Sequence, residues 1–308
     1  MLWRLPDIKL APDVVIPLFA NGNGITNTLI CTWITIVVLL LLFYFGTRRR
    51  DLIPSGMQNL AEWAIESLLG LVESVSGKEK GKRFFPLVAT FFIFILFCNL
   101  LDVFPGVDTI GTIQADEIAK IGTAKPVFGF LLFGDLSNKL IPWIRPATSD
   151  LNLTLSMAII SVVVTQVFGF IALGTGEHLS KYFNFKALFT HGPVGVIEFI
   201  AGLIEIISEL ARIISFSFRL FGNIFAGSAL LAVFAFLLPF VSDVIFIPFE
   251  LFVAFVQALV FSLLTLVFME IATTSHGDHG SPEHVQSEQE AHRGHIQREG
   301  KEVAATHS

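Results

Sequence analysis

The stretch Val194 to Leu238 reads VGVIEFIAGLIEIISELARIISFSFRLFGNIFAGSALLAVFAFLL. It holds Glu198, Glu205, Glu209, Arg212 and Arg219 among Ile, Leu, Phe and Ala. As one helix its roughly 45 residues would extend ~67 Å at 1.5 Å each, against a hydrocarbon core of about 30 Å. It is therefore too long to stand upright as a single crossing. At 100° per residue, Glu198, Glu205, Glu209, Arg212, Arg219, Asn223 and Gly227 fall within a sector of about 80°. A charge inside hydrocarbon costs several kcal/mol on most estimates, so such a face needs a wet cavity, mutual pairing or a partner.

The same stretch leaves plainer readings open. Glu198 and Arg212 could snorkel to the interface, and Glu209 with Arg212 could form an i,i+3 ion pair. Arg219 is harder to place in that way, because no charge follows it until Asp243. Capping a helix end at the interface is its structural alternative. A second, sparser stripe lies in the last apolar block. Glu250 and Gln257 are seven apart and share a face within about 20°. Gln257 could be a core amide satisfied by a carbonyl, and Glu250 an acid at a helix start favoured by the dipole. An antiparallel hairpin could set this face against Arg219.

Working outward, the chain is 308 residues long, 53% hydrophobic and only 15% charged, with 32 Phe. A soluble domain carries about 25% charged residues. Apolar runs of ~20 residues are the length of a membrane helix. The expected class is an all-α membrane protein with about five transmembrane helices. The last two form a long, steeply tilted hairpin, and an amphipathic helix follows the first span. In order these are an external segment 1–27, a first span 28–46, the amphipathic helix 55–76, and a second span 84–104. An external segment 105–149 follows, then a third span 150–173, the long helix 194–238, a last helix 243–272, and a polar tail 273–308. The run Val127 to Phe133 inside the external segment is too short to span. The first twenty residues do not read as a signal peptide, since Arg4, Asp7, Lys9 and Asp13 interrupt any apolar core.

Arg48, Arg49 and Arg50 follow the first span at once, and Lys78, Lys80, Lys82 and Arg83 precede the second. Clustered cations mark the cytoplasmic side. The N-terminus is thus expected outside and, after five crossings, the C-terminus inside. Cys31 and Cys98 lie within apolar spans and read as packing residues. No basic block with aromatics points to nucleic acid. The tail pairs His276/His279 and His292/His295 make a poor metal site with two ligands each, so neither metal nor cofactor is expected. A haem or quinone enzyme would need paired histidines inside the spans, and only His178 and His191 precede the tail. A solute transporter would need its own cavity, and inverted repeats are not evident. A membrane scaffold would tolerate loss of Arg219.

The run RLFGNIFAG, Arg219 to Gly227, resembles the signature of subunit a of the F-type rotary ATP synthases. SELARIIS (Ser208 to Ser215), NLLDVFPG (Asn99 to Gly106), TSDLNLTLS (Thr148 to Ser156) and VQALVFSLLT (Val256 to Thr265) resemble the same family. The likeness covers about 84–272, apart from an insertion-like segment between Val107 and Arg145 and with Ile213 where many members have proline. It implies a stator, not an enzyme on its own, in the inner membrane of a bacterium. Its implied partners are a ring of small two-helix proteolipids (subunit c), the peripheral-stalk subunit b and membrane lipid. Two offset half-channels would carry protons to and from ring carboxyls. Arg219 would hold those carboxyls deprotonated and block a short circuit. Asn223 would be its polar neighbour, Gln257 the glutamine facing it, and Glu205 the acid near the cytoplasmic half-channel, with Glu209 on the same face. Asn99, Asp102, Asp150 and Asn152 lie in matching stretches and join the candidate path. One departure is that Ser228 and Glu250 stand where many bacterial members have an acid and a histidine. The acid of the entry half-channel is then expected at Glu250, on the facing helix.

Overall fold

The computed structural model describes residues 12–17, 24–48, 56–103, 111–113, 125–127, 131–133, 140–174, 193–237 and 239–274. Five helices carry the fold, as the all-α reading expects: α1 Asn27–Thr47, α2 Met57–Val103, α3 Leu151–Leu173, α4 Pro193–Leu237 and α5 Pro239–Thr273. Among the described residues, four segments are long and apolar enough to cross a membrane: Asn27–Thr47, Gln58–Leu101, Leu151–Leu173 and Val244–Thr273. The six histidines of the tail lie outside the described residues, as do most of the external segment, His178 and His191.

Three helix ends have a local cause. Thr26 caps α1, its hydroxyl accepting from the Leu29 N–H at 3.4 Å. Asp150 caps α3 by accepting from the Asn152 N–H at 2.9 Å. Gly174 ends α3 at φ 80°, where a side chain would be strained, and its N–H returns to the Phe170 carbonyl at 3.0 Å. Hydroxyls along the helices donate to carbonyls one turn back, as Thr32 does to Thr28 (2.8 Å) and Thr35 to Cys31 (2.9 Å). This spends their polarity inside the helix, which an apolar surrounding requires.

α2 is bent into two helical arms. Gly77 has φ 71° and ψ 170°, outside helical space. A Cβ on Gly81 would come within 3.2 Å of the Glu73 Cα. Eight residues of straight helix would separate the two by about 12 Å, so the chain bends sharply back at Gly77. Residues 57–76 form one arm, with Trp63 and Leu60 exposed, and residues 78–103 form the other. Lys80 spans from the bend to Glu270 near the end of α5, at 2.7 Å.

Phe91 and Ile95 of α2, Met157 and Ala158 of α3, Phe216 and Leu220 of α4, and Ala258 and Phe261 of α5 form one buried cluster. A second joins Val72, Phe84 and Val88 to Leu266 and Met269. Cys31 and Cys98 are buried and unbridged and pack with Ala147. Polar pairs cross the same bundle: Thr154 to Ser217 at 3.2 Å and Ser161 to Thr265 at 2.8 Å. Such pairs fix helix register where apolar packing alone discriminates weakly.

Three short antiparallel strand pairs lie outside the helices. They are β1 (Val14–Pro17) with β2 (Gly24–Thr26), β3 (Gly111–Ile113) with β6 (Leu140–Pro142), and β4 (Lys125–Val127) with β5 (Leu131–Phe133). None was read from the sequence. The apolar run Val127 to Phe133 begins at the end of β4 and closes with β5, and Lys125 pairs with Phe133. Asn27 donates to the Pro142 carbonyl at 3.3 Å and so ties α1 to β6.

Candidate functional site

Arg219 sits half-buried on α4, between Phe216 and Leu220, which both belong to the four-helix cluster. Its guanidinium carbon lies 5.8 Å from the Phe216 ring centroid. The ion pairs among the described residues are Lys80–Glu270 and Arg212–Glu209, so Arg219 keeps its charge without a carboxylate there. One turn on, Asn223 donates through Nδ2 to the Gln257 Oε1. Gln257 is buried and lies close to the midpoint of the segment Val244–Thr273. The amide pair locks α4 to α5 beside Arg219 and places this level of α4 near the middle of the apolar length of α5.

Towards the C-terminal end of α4 the two helices stay in contact through Gly227 and Glu250. A Cβ on Gly227 would stand 3.2 Å from the Glu250 Oε1. Glycine therefore makes room for the carboxylate of the facing helix. The space beside it is a cavity of about 280 Å³ lined by Asn99, Asn223, Gly227, Glu250, Val103 and Leu230, among others. Asn99 reaches it from α2. Its Oδ1 accepts from the Thr148 hydroxyl at 2.9 Å, and this orients the amide; its Nδ2 is buried without a partner among the described residues. Three helices thus bring Asn99, Asn223 and Glu250 to one pocket, and Gln257 borders it through Asn223.

Towards the N-terminal end of α4 the polar face is built differently. Arg212 donates to Glu209 at 2.9 Å, the i,i+3 pair that the spacing suggested. The Arg212 guanidinium lies 3.7 Å from the Phe268 ring centroid of α5. At that distance the ring face attracts the cation. Gln166 of α3 adds a hydrogen bond to Glu209. Glu205 lies a further turn away and is exposed. It is about 21 Å along the helix from Arg219, whereas Gly227 is about 12 Å away on the other side.

The remaining candidates separate from this seam. Asp150 caps α3 and accepts from the Thr28 hydroxyl at 3.0 Å, and Asn152 is exposed beside it. Neither lines the cavity. Ser228 turns its hydroxyl to the Phe225 carbonyl of its own helix at 3.2 Å, also away from the cavity lining. The side chains of Asp102 and Glu198 are outside the described residues. Sequence reasoning missed Thr148, Gln166 and Phe268. Gln166 did leave a signal, as a lone amide in the apolar run of α3, and Thr148 opens the run TSDLNLTLS; Phe268 left none.

A helical bundle of membrane length, with a polar seam in which Arg219 has no carboxylate partner among the described residues, is a polytopic membrane protein. Comparison with known proteins makes this specific. The family model described as ATP synthase A chain matches residues 29–270. The chain is 31% identical over 253 residues to ATP synthase subunit a of Moorella thermoacetica, covering 82% of this chain and 92% of that one. It is 33% identical over 263 residues to that of Desulforamulus reducens, covering 82% and 81%. With that of Gloeobacter violaceus it is 30% identical over 263 residues, covering 85% and 88%. The chain belongs to the ATP synthase A chain family.

Proposed function

We propose that this chain is the proton-translocating stator subunit of a bacterial rotary ATP synthase, non-catalytic by itself, with its N-terminus outside and its C-terminus in the cytoplasm. Its partners are a ring of small two-helix proteolipids (subunit c) and the peripheral-stalk subunit b. The observation that carries the reading is the unpaired Arg219 at the junction of two unlike polar regions on one helix face.

The chemistry follows from charge and access. An arginine keeps its charge at any working pH. A carboxyl group that comes opposite it is favoured in its deprotonated form. Protons enter on the Glu250 side and leave on the Glu205 side, and the fixed charge between them opposes direct passage of a cation. The cavity beside Glu250 suits the entry side. Bulk water occupies about 30 Å³ per molecule, so the cavity has room for several, next to amide donors and a carboxylate. Gly222 suits a facing partner, since a Cβ there would meet nothing within 4 Å. Ile200, Leu203, Ile207, Leu210, Ile214 and Phe218 give α4 an exposed apolar row on the face away from the polar stripe, which suits the surrounding hydrocarbon. The length of α4, 45 residues, fits a tilted course along the ring.

The test is ATP synthesis driven by imposed H⁺ or Na⁺ gradients in membrane vesicles carrying Arg219→Ala. Synthesis falls to background with ring assembly intact. Normal synthesis in this variant would sink the proposal, and the gradient that drives the wild type identifies the coupling ion.

A further inference from the structure

A second cavity, of about 290 Å³, lies away from the polar seam, in the corner between α1 and the bend of α2. Leu39 and Phe43 of α1 form one wall. Ile65 of the 57–76 arm closes another, and Phe85, Ala89, Ile93 and Phe94 of the second arm form the third. The only hydroxyl in the lining is that of Thr90, and it donates to the Pro86 carbonyl of its own helix at 2.7 Å. Gly46 packs on Ala61, an added Cβ lying 3.7 Å from the Ala61 Cβ, so the end of α1 closes the corner. The slot therefore offers no polar group to a ligand along its length.

Its cytoplasmic end is different. Phe85, Ala89 and Ile93 recur at i, i+4 and i+8, and Lys82 and Lys78 continue that face at i−3 and i−7 from Phe85. Arg83 likewise continues the face of Thr90, seven residues on. Lys80 is taken by Glu270, whereas Lys78, Lys82 and Arg83 have no carboxylate partner among the described residues. Lys82 and Arg83 are exposed. One helix face thus passes from an apolar slot directly to unpaired cations.

We infer that this corner is a binding site for one anionic phospholipid, with an acyl chain in the slot between α1 and α2 and the headgroup phosphate on Lys82 and Arg83. The dimensions favour a lipid over a protein helix. A helix with its side chains is about 10–12 Å across, so a cavity of about 290 Å³ would hold only a fraction of one turn, whereas an acyl chain is one methylene wide. Charge favours an anionic headgroup over a zwitterionic one, because each cation near the surface adds about 1 kcal/mol towards anionic lipid. Nothing in this inference depends on Arg219 or on proton transport.

The experiment is native mass spectrometry of the purified full-length chain, with the subunits that co-purify, after exchange into detergent containing phosphatidylglycerol or phosphatidylcholine. The wild type retains one phosphatidylglycerol and releases phosphatidylcholine. Lys82→Gln with Arg83→Gln binds phosphatidylglycerol about 30-fold more weakly, the loss expected for two surface charges. Ala89→Trp fills the slot and abolishes retention with both cations in place. Equal retention of the two lipids would overturn the inference. So would unchanged phosphatidylglycerol retention in either variant. Loss of a co-purifying membrane subunit from Ala89→Trp, with lipid retained, would assign the corner to a protein helix instead. The charge variant alters only exposed positions and keeps the test decisive if Ala89→Trp fails to fold.

Discussion

Arg212 and Arg219 are seven residues apart on one face of α4, and their surroundings are opposite. Arg212 is held by Glu209 at 2.9 Å and stacked on Phe268 at 3.7 Å. Arg219 has only Phe216, at 5.8 Å, and no carboxylate among the described residues. The first charge is satisfied within the chain and ties α4 to α5. The second is held at the level of the core cluster by the buried Leu220 beside it, yet its charge is left for something else. The same residue type at heptad spacing thus serves packing in one place and, in the function proposed above, a partner in the other. What separates them is an acid at i−3, which Arg212 has and Arg219 lacks.

The contrast can be broken at several points. After loss of Arg219 itself, the largest effect is expected at Glu250. Glu250→Gln removes the titratable group beside Gly227 and should lower gradient-driven proton flux about a hundredfold, the lower end of what positioned proton-transfer groups contribute. Glu198→Gln should lower it less, and equal effects in vesicle flux assays would remove the reason to place Glu250 in a channel. Gly227→Leu comes next. Its side chain would displace the Glu250 carboxylate, for which even a Cβ leaves 3.2 Å, and should reduce flux with the chain still in the membrane. Unchanged flux would mean that this carboxylate position does not matter.

Arg212→Ala should act on stability instead. It strips Glu209 of its ion pair and Phe268 of its cation, a loss of about 1–3 kcal/mol. A lower midpoint for thermal loss of the assembled chain would register it. Lys80→Ala should do least, under about 1 kcal/mol, because that pair is partly exposed. A larger loss would show that the bend at Gly77 depends on its link to α5.

The stripe on α4 was legible because its positions follow from a fixed 100° per residue on one helix. The same arithmetic put Glu250 and Gln257 on a common face of α5, and the motif RLFGNIFAG supplied the family. Contacts across helices were not legible in this way. That Asn223 meets Gln257, and Gly227 meets Glu250, depends on the register between α4 and α5, which the polar pairs and the core cluster set. Gln166 joins Glu209 only through the packing of α3. Asp150 looked like a channel acid from its motif, and in the structure it caps α3 and accepts from Thr28. The strand pairs β3–β6 and β4–β5 escaped notice because three-residue strands carry too few positions to show a period of two.

The most direct test of the account compares Arg219→Ala with Arg212→Ala in one set of vesicles, scoring ATP synthesis per proton gradient at matched amounts of assembled complex. The account predicts synthesis at background for Arg219→Ala and substantial synthesis for Arg212→Ala. Equal loss in both, or normal synthesis in Arg219→Ala, would contradict it.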